Sequence, residues 1–440
     1  MNTPWRTRRT SIRHGLAIAA TLLAGPILAD TPVPTAPATL LHAARLLEID
    51  SGHILSPGEL LIEGERITAV GTSVTAPPGT TRLDLGDVTL LPGLIDAHVH
   101  LFLHPGNEGL QTVQESIPAR TLLAAQAAKA DLLAGFTAER DMGTEGAGSA
   151  DSAVRNAIND GLVPGPRLRI SGNAIDILGG HEDAVGFNPE QHIFSNATYA
   201  NTADELTAVI RQQHKEGADT VKIYETGRDR LQAGHLQTPF QYTVAQLQAA
   251  TSEARRLGER VAVHATGEPG TGYAAEAGVS SIEHASQLGD QTMALMKQKR
   301  IYAVPTFAVF EYFQPPAGAP DPRGERPLYE DKIREFKRQV AAGVPFAVGS
   351  DAGPFQHGTQ ARELELMVDF GMTPFAVLQA DLLNGADLLD WAGQIGQLKT
   401  GYYADVIAVP GNPLQDIRVL QHVSFVMKNG RIEKALAAAR

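Results

Sequence analysis

The chain has 440 residues, of which 43% are hydrophobic, enough to bury a large core in one big domain with something smaller beside it. With 37 basic and 49 acidic side chains its formal charge is −12, which argues against a nucleic-acid or anionic-membrane partner held by general electrostatics. Cysteine is absent, so disulfides and thiolate metal sites are excluded, and any metal must be held by His, Asp, Glu or a modified lysine.

In chain order, residues 1–29 read as a signal peptide. Arg6, Arg8, Arg9 and Arg13 precede an apolar run from Leu16 to Leu28, and a small-residue cleavage position follows Ala29. The run is broken by Gly25 and Pro26 and is too short for a membrane span, which needs about 20 apolar residues. The expectation is an exported protein, periplasmic or secreted, with no membrane attachment after processing. Arg8-Arg9 leaves the route, Sec or twin-arginine, open. Residues 30–39 form a Pro-rich linker. Residues 40–91 then read as short strands punctuated by Ser51-Gly52, Pro57-Gly58 and Glu63-Gly64. Residues 393–436 resemble them, with "GYYADVIAVPG" and "SFVMKNGRIEKA" as strands and Asn429-Gly430 as a hairpin turn. The two ends are therefore expected to pair into one small β-sandwich domain.

Between them, residues 92–392 repeat one unit: an amphipathic helix, a glycine that ends it, and a short apolar strand finishing on a polar residue. "ADLLAGFTAERD" ends at Asp141, "HKEGADTVKIY" contains Lys222, "ARRLGERVAVH" ends at His264, "AAEAGVSSIEH" at His284 and "VAAGVPFAVGSD" at Asp351. Apolar strands alternating with helices indicate a parallel sheet buried on both faces, and at this length a (β/α)8 TIM barrel. Such barrels place their chemistry at the C-terminal strand ends, where these polar residues fall.

In "LPGLIDAHVHLFLHP", strand alternation sends His98 and His100 to one face and Val99 to the other. An isolated H-x-H pair also suits two ordinary buried, hydrogen-bonded histidines. His264, His284 and Asp351, each at the end of its own strand, add donors to the same barrel mouth, and the set suits zinc or a similar divalent ion. Lys222 alternates with Val221 and Ile223, so it points inward with Thr220 and Tyr224. Beside metal cations its ammonium is disfavoured, and the neutral amine can take up carbon dioxide to give a carbamate that bridges two metals. The other reading is a lysine that reaches the surface or pairs with Glu225. His104 and His357 receive no role.

The segments "GLIDAHVH", "VKIY", "VAVHATG", "IEHAS" and "GSDAG", in this order, resemble the metal-dependent amidohydrolase superfamily, in the subgroup of imidazolonepropionase-like proteins and Xaa-Pro dipeptidases or carboxypeptidases, and especially its bacterial members that hydrolyse ochratoxin A. The likeness runs through nearly the whole mature chain to "GQLKTGYYADVIAVPGNPLQDI". It implies a binuclear centre with zinc as the first choice. His98, His100 and Asp351 would hold the more buried metal, His264 and His284 the more exposed one, and carbamylated Lys222 would bridge them. The metals would activate water and Asp351 would carry its proton to the leaving amine; a deaminase of the superfamily would lack the bridging lysine. Tyr224 and His181, in "LGGHED", resemble positions that contact a substrate carboxylate, though a packed tyrosine and a loop histidine fit the residues equally well.

The implied activity is hydrolysis of N-acyl amino acids or dipeptides with a free carboxylate, including ochratoxin A. An Xaa-Pro dipeptidase, a cyclic-amide hydrolase and a non-catalytic scaffold are the alternatives. Glu225 and Leu178 depart from the family's usual residues near the pocket and leave the substrate open. A homo-oligomer, up to an octamer, is implied by the resemblance alone. The Gly-, Pro- and aromatic-rich loops at 175–200 and 310–330 are expected to shape access, with Phe310, Tyr312 and Phe313 read as loop core in preference to pocket wall.

Overall fold

The computed structural model describes residues 38–188, 190–232 and 235–435; the expected signal peptide and nearly all of the linker lie outside them. Val88–Pro92 runs antiparallel to Val406–Pro410 on one side and parallel to Arg45–Leu47 on the other, so both chain ends enter one six-stranded sheet. A four-stranded sheet carries Thr39–Ala43 between Gly58–Glu63 and Thr81–Asp84. Leu41 and Leu60 from this sheet share one buried apolar cluster with Leu90, Val406 and Phe425 from the other. Burial of such side chains, at about 25 cal/mol per Å², is what holds the two sheets together.

Alternating helices and parallel strands follow, as the repeated unit predicts. The Leu94–Val99, Phe136–Asp141, Thr220–Tyr224 and Ser281–His284 strands are buried at every position, which requires helices over one face and neighbouring strands around the other. Gly217 and Gly258 end their helices at φ 107° and 82°, left-handed values that admit glycine without strain. One parallel sheet joins Leu94–Val99, Phe136–Asp141 and Arg167–Ile170. Another includes Thr220–Tyr224, Arg260–Ala265, Ser281–His284 and Tyr302–Val304, in a register that sets Tyr224 opposite His264 and Ala265 opposite His284.

A closed eight-stranded ladder is not formed among the described residues. The two sheets are joined instead by a segment at 345–352 that is no regular strand. It accepts from Ala303 N at Pro345 O (2.9 Å) and from Ala97 N at Val348 O (2.9 Å), and donates from Asp351 N to His98 O (2.7 Å). The departure has local causes: Pro345 has no amide to donate, and Asp351 turns the backbone left-handed at φ 63°. Gly349 fits between these neighbours because it has no side chain. A Cβ there would stand 2.4 Å from Val304 Cγ1 and 2.8 Å from His98 Cβ. Gly349→Ala should therefore force the 345–352 segment off the His98 strand, and a thermal melt should register a loss of about 1–3 kcal/mol, the usual cost of overpacking a filled interior.

Candidate metal centre

His98, His100, His181, Lys222, Tyr224, His264, His284 and Asp351 all line one cavity of about 250 Å³ at the C-terminal ends of the parallel strands. They arrive from separate stretches of chain, as expected, but not all on regular strands. The first strand ends at Val99, so His100 lies just beyond it, and His284 and Asp351 occupy left-handed backbone at φ 67° and 63°. Non-glycine residues in that region cost about 1–3 kcal/mol each and persist where the surroundings fix them, commonly at functional sites.

The hydrogen-bond pattern assigns the tautomers. His98 Nδ1 donates to Glu283 Oε2 at 2.8 Å and His100 Nδ1 to Gly143 O at 3.2 Å, which turns both Nε2 atoms inward, that of His98 as a bare acceptor. These face each other at 3.3 Å, and Lys222 Nζ lies 3.5 Å from His98 Nε2. Asp351 Oδ1 stands 3.5 Å from His98 Nε2 and 3.3 Å from His100 Nε2. His284 Nδ1 meets Thr306 Oγ1 at 2.8 Å, and buried His264 Nε2 has no hydrogen-bond partner. One ligand atom each from His98, His284 and Asp351 can be chosen so that all lie within 4.8 Å of one another. Inward-facing imidazole lone pairs beside a carboxylate form a donor set that fits a divalent cation.

Electrostatics agree with that fit. Burial lowers the affinity of His264 and His284 for protons well below the ordinary histidine range, keeping them neutral. Burial likewise lowers the pKa of Lys222, which favours the free amine. Burial alone would raise the Asp351 carboxyl, but His98, His100 and Lys222 hold it well below the usual carboxylate range, so it is an anion. For His100, the pull of Asp351 and Glu145 outweighs burial and raises the group well above its ordinary value. The pocket thus draws positive charge to the space between His100 and Asp351.

Tyr224 and His181 stack at 5.0 Å with planes 8° apart, and His181 reaches His264 at 4.1 Å between ring centroids. Phe310 and Phe313 line the cavity, which corrects the expectation of loop core: the Phe307–Tyr312 helix and its C-cap Phe313 set these two rings against the mouth, while Tyr312 stands outside the lining, 47% exposed. His104 bonds Glu115 at 2.8 Å and His357 bonds Asp131 at 2.8 Å, and neither lines the cavity. Glu225 is buried, donates nothing to the cavity wall and accepts from Tyr242 N at 3.2 Å.

Sequence reasoning missed the layer beneath. Glu283, which orients His98, is itself held by Arg140 Nη2 at 2.9 Å and by the Ser281 hydroxyl, and Arg140 Nε donates to Ala97 O at 2.7 Å. Strand alternation carried the signal, because Ser281 and Glu283 share the inward face of "SIEH".

Comparison with known proteins places this geometry. The amidohydrolase family model matches residues 89–433. The chain belongs to the amidohydrolase family, whose members hydrolyse amide and related bonds. The amidohydrolase is 30% identical to the ochratoxinase of Aspergillus niger over 427 residues, covering 90% of this chain and 86% of that one. Among solved structures it resembles a Xaa-Pro dipeptidase with methionine bound in its active site, at a TM-score of 0.82 and 32% identity over 90% of this chain and 99% of that one. It also resembles A. niger ochratoxinase, at a TM-score of 0.77 and 27% identity over 91% and 96%.

Arg140 and Glu283 are both almost wholly buried. Arg140→Met should therefore strand a buried carboxylate beneath His98 and cost about 3–5 kcal/mol, read as a lower urea midpoint with an unchanged slope.

Proposed function

We infer that this amidohydrolase cleaves the amide bond of N-acyl amino acids or dipeptides that end in a free carboxylate, releasing the C-terminal amino acid. The observation that carries the reading is the convergence of four imidazoles, Lys222 and Asp351 on one cavity, with His98 Nε2 left as an acceptor and buried His264 Nε2 without a partner. His98, His100 and Asp351 would hold one divalent ion, His264 and His284 a second, with zinc as the first choice. Lys222, whose ammonium burial disfavours, would take up carbon dioxide at Nζ with loss of a proton and bind both ions through the carbamate oxygens. When bound, the ions supply Lewis-acid polarisation of the scissile carbonyl and lower the pKa of the attacking water.

This chain's own groups do the rest. Asp351, an anion facing the imidazoles, accepts the proton of the attacking water and returns it to the leaving amine. The Tyr224 hydroxyl and the His181 ring, stacked on one side of the cavity, receive the substrate carboxylate. Phe310 and Phe313 offer apolar surface to the acyl part. Aromatic walls of this kind support an aromatic acyl amino acid, so ochratoxin A, giving ochratoxin α and phenylalanine, is the first compound to try. The likeness to a Xaa-Pro dipeptidase over nearly all of both chains supports Xaa-Pro dipeptides as the second.

The same reading includes the architecture of a (β/α)8 barrel flanked by a β-sandwich from the chain ends, and an exported homo-oligomer. Ile117 and Leu122, 49% and 72% exposed on one helix, are surface that assembly would cover. Light scattering should give a mass well above that of one chain.

A panel of N-acyl amino acids, Xaa-Pro dipeptides and ochratoxin A, presented to the zinc-loaded mature enzyme, tests the reading. Amino-acid release is expected from the free acids, and amidation of the terminal carboxylate should slow it by about 100-fold or more, because the polar contacts are left unpaired. Asp351→Asn should lower turnover by about a thousand-fold with the fold retained. An active Asp351→Asn enzyme would remove the proton-transfer role.

A further inference from the structure

The Glu325–Ala342 helix turns Lys332, Phe336 and Gln339 toward the barrel, spaced by four and then three residues, and all three are buried. Phe336 packs against Phe307 with centroids 5.0 Å apart, which seats this face of the helix on the core. The two polar residues both reach one turn. Lys332 Nζ donates to His284 O at 2.7 Å and to Ser286 Oγ at 3.2 Å, and Gln339 Nε2 donates to Ala285 O at 2.8 Å. Both accepting carbonyls belong to left-handed residues, His284 at φ 67° and Ala285 at φ 42°. Backbone in this region relaxes unless its surroundings hold it. Lys332 Nζ also lies 4.3 Å above the Phe310 ring, whose centroid is 6.0 Å from that of His284. One ammonium therefore touches the aromatic wall of the cavity and the turn that carries an imidazole.

We propose that Lys332, assisted by Gln339, is a positioning residue that clamps the left-handed turn at His284 and so fixes the direction in which this imidazole faces Asp351 and His98. The inference rests on the metal-centre reading above. Lys332 acts through the His284 carbonyl and the Ser286 hydroxyl; it does not line the cavity and does not touch substrate. Thr306 holds the same imidazole at Nδ1 at 2.8 Å, the nitrogen that lies 3.8 Å from Asp351 Oδ2, so the ring is fixed at both its backbone and this nitrogen. Groups that orient a metal ligand in this way commonly change metal affinity by about 10- to 100-fold when removed.

The test uses the zinc-loaded full chain. Lys332→Met keeps the stem over Phe310 and removes the donors, whereas Lys332→Arg keeps donors at the same place. Zinc retention is followed by competition with a chelator, alongside kcat, KM and hydrogen exchange of the turn in zinc-free protein. Lys332→Met should weaken zinc retention by about 10- to 100-fold, lower kcat with little change in KM, and speed exchange around Ala285. Lys332→Arg should recover most of each effect, and Gln339→Leu should shift them in the same direction by less. Wild-type zinc retention, kcat and exchange in folded Lys332→Met would overturn the proposal. If that variant does not fold, the same unchanged values in Gln339→Leu would overturn it. A wild-type chain that binds no zinc while its turn still exchanges faster in Lys332→Met would instead sink the metal-centre reading and leave the clamp standing.

Discussion

The Nε2 atoms of His98 and His100 face each other at 3.3 Å inside a buried cavity, and the rest of this molecule is arranged around that confrontation. Their outer nitrogens are committed to Glu283 and Gly143, so neither ring can turn its proton inward without losing a buried hydrogen bond. Positive charge between the rings satisfies both: a proton on His100, which Asp351 and Glu145 favour against burial, or a metal ion that displaces it. Asp351 on one side and the neutral-leaning amine of Lys222 on the other complete a space that attracts a cation and supplies it with ligands.

The fold keeps that arrangement from relaxing. His284, Thr306 and Asp351 lie in left-handed backbone around the cavity, and each is tied down from a different element. Asp351 N bonds the His98 strand, the Thr306 hydroxyl bonds the His284 ring, and Lys332 bonds the His284 carbonyl. Below the ligands, Arg140 and Glu283 form a buried ion pair between the two parallel sheets, so the layer that orients His98 is itself fixed by charge. A buried pair of this kind contributes little net stability but fixes geometry, since removing either partner leaves the other uncompensated. Precision at the cavity and strain in the backbone are thus two aspects of one construction.

Much of this was legible in the sequence because the signals are local. Glycine-ended helices followed by apolar strands identify the parallel architecture, and period-2 alternation aims His98, Lys222 and Tyr224 inward. The residues brought to the cavity are those that the strand-end rule and the family resemblance select. Three things were not legible. The 345–352 segment reads as a strand of the repeated unit, yet Pro345 and the left-handed Asp351 interrupt its ladder. Phe310 and Phe313 lie in a stretch that reads as a loop, yet Phe307–Tyr312 is a helix, and its placement turns them to the cavity. Lys332 lies on the highly charged Glu325–Ala342 helix, and its burial there depends on tertiary packing. Glu283 could have been found, since it alternates with Ser281 on the inward face, but its neighbour His284 is the more conspicuous donor.

Anomalous diffraction at the zinc edge, from crystals grown with zinc and bicarbonate, tests the central claim most directly. Two peaks flanking Lys222 Nζ, one among His98, His100 and Asp351 and one between His264 and His284, with carboxyl density on the lysine, are the predicted result. Peaks elsewhere, or none with the four imidazoles still facing one another, would contradict it.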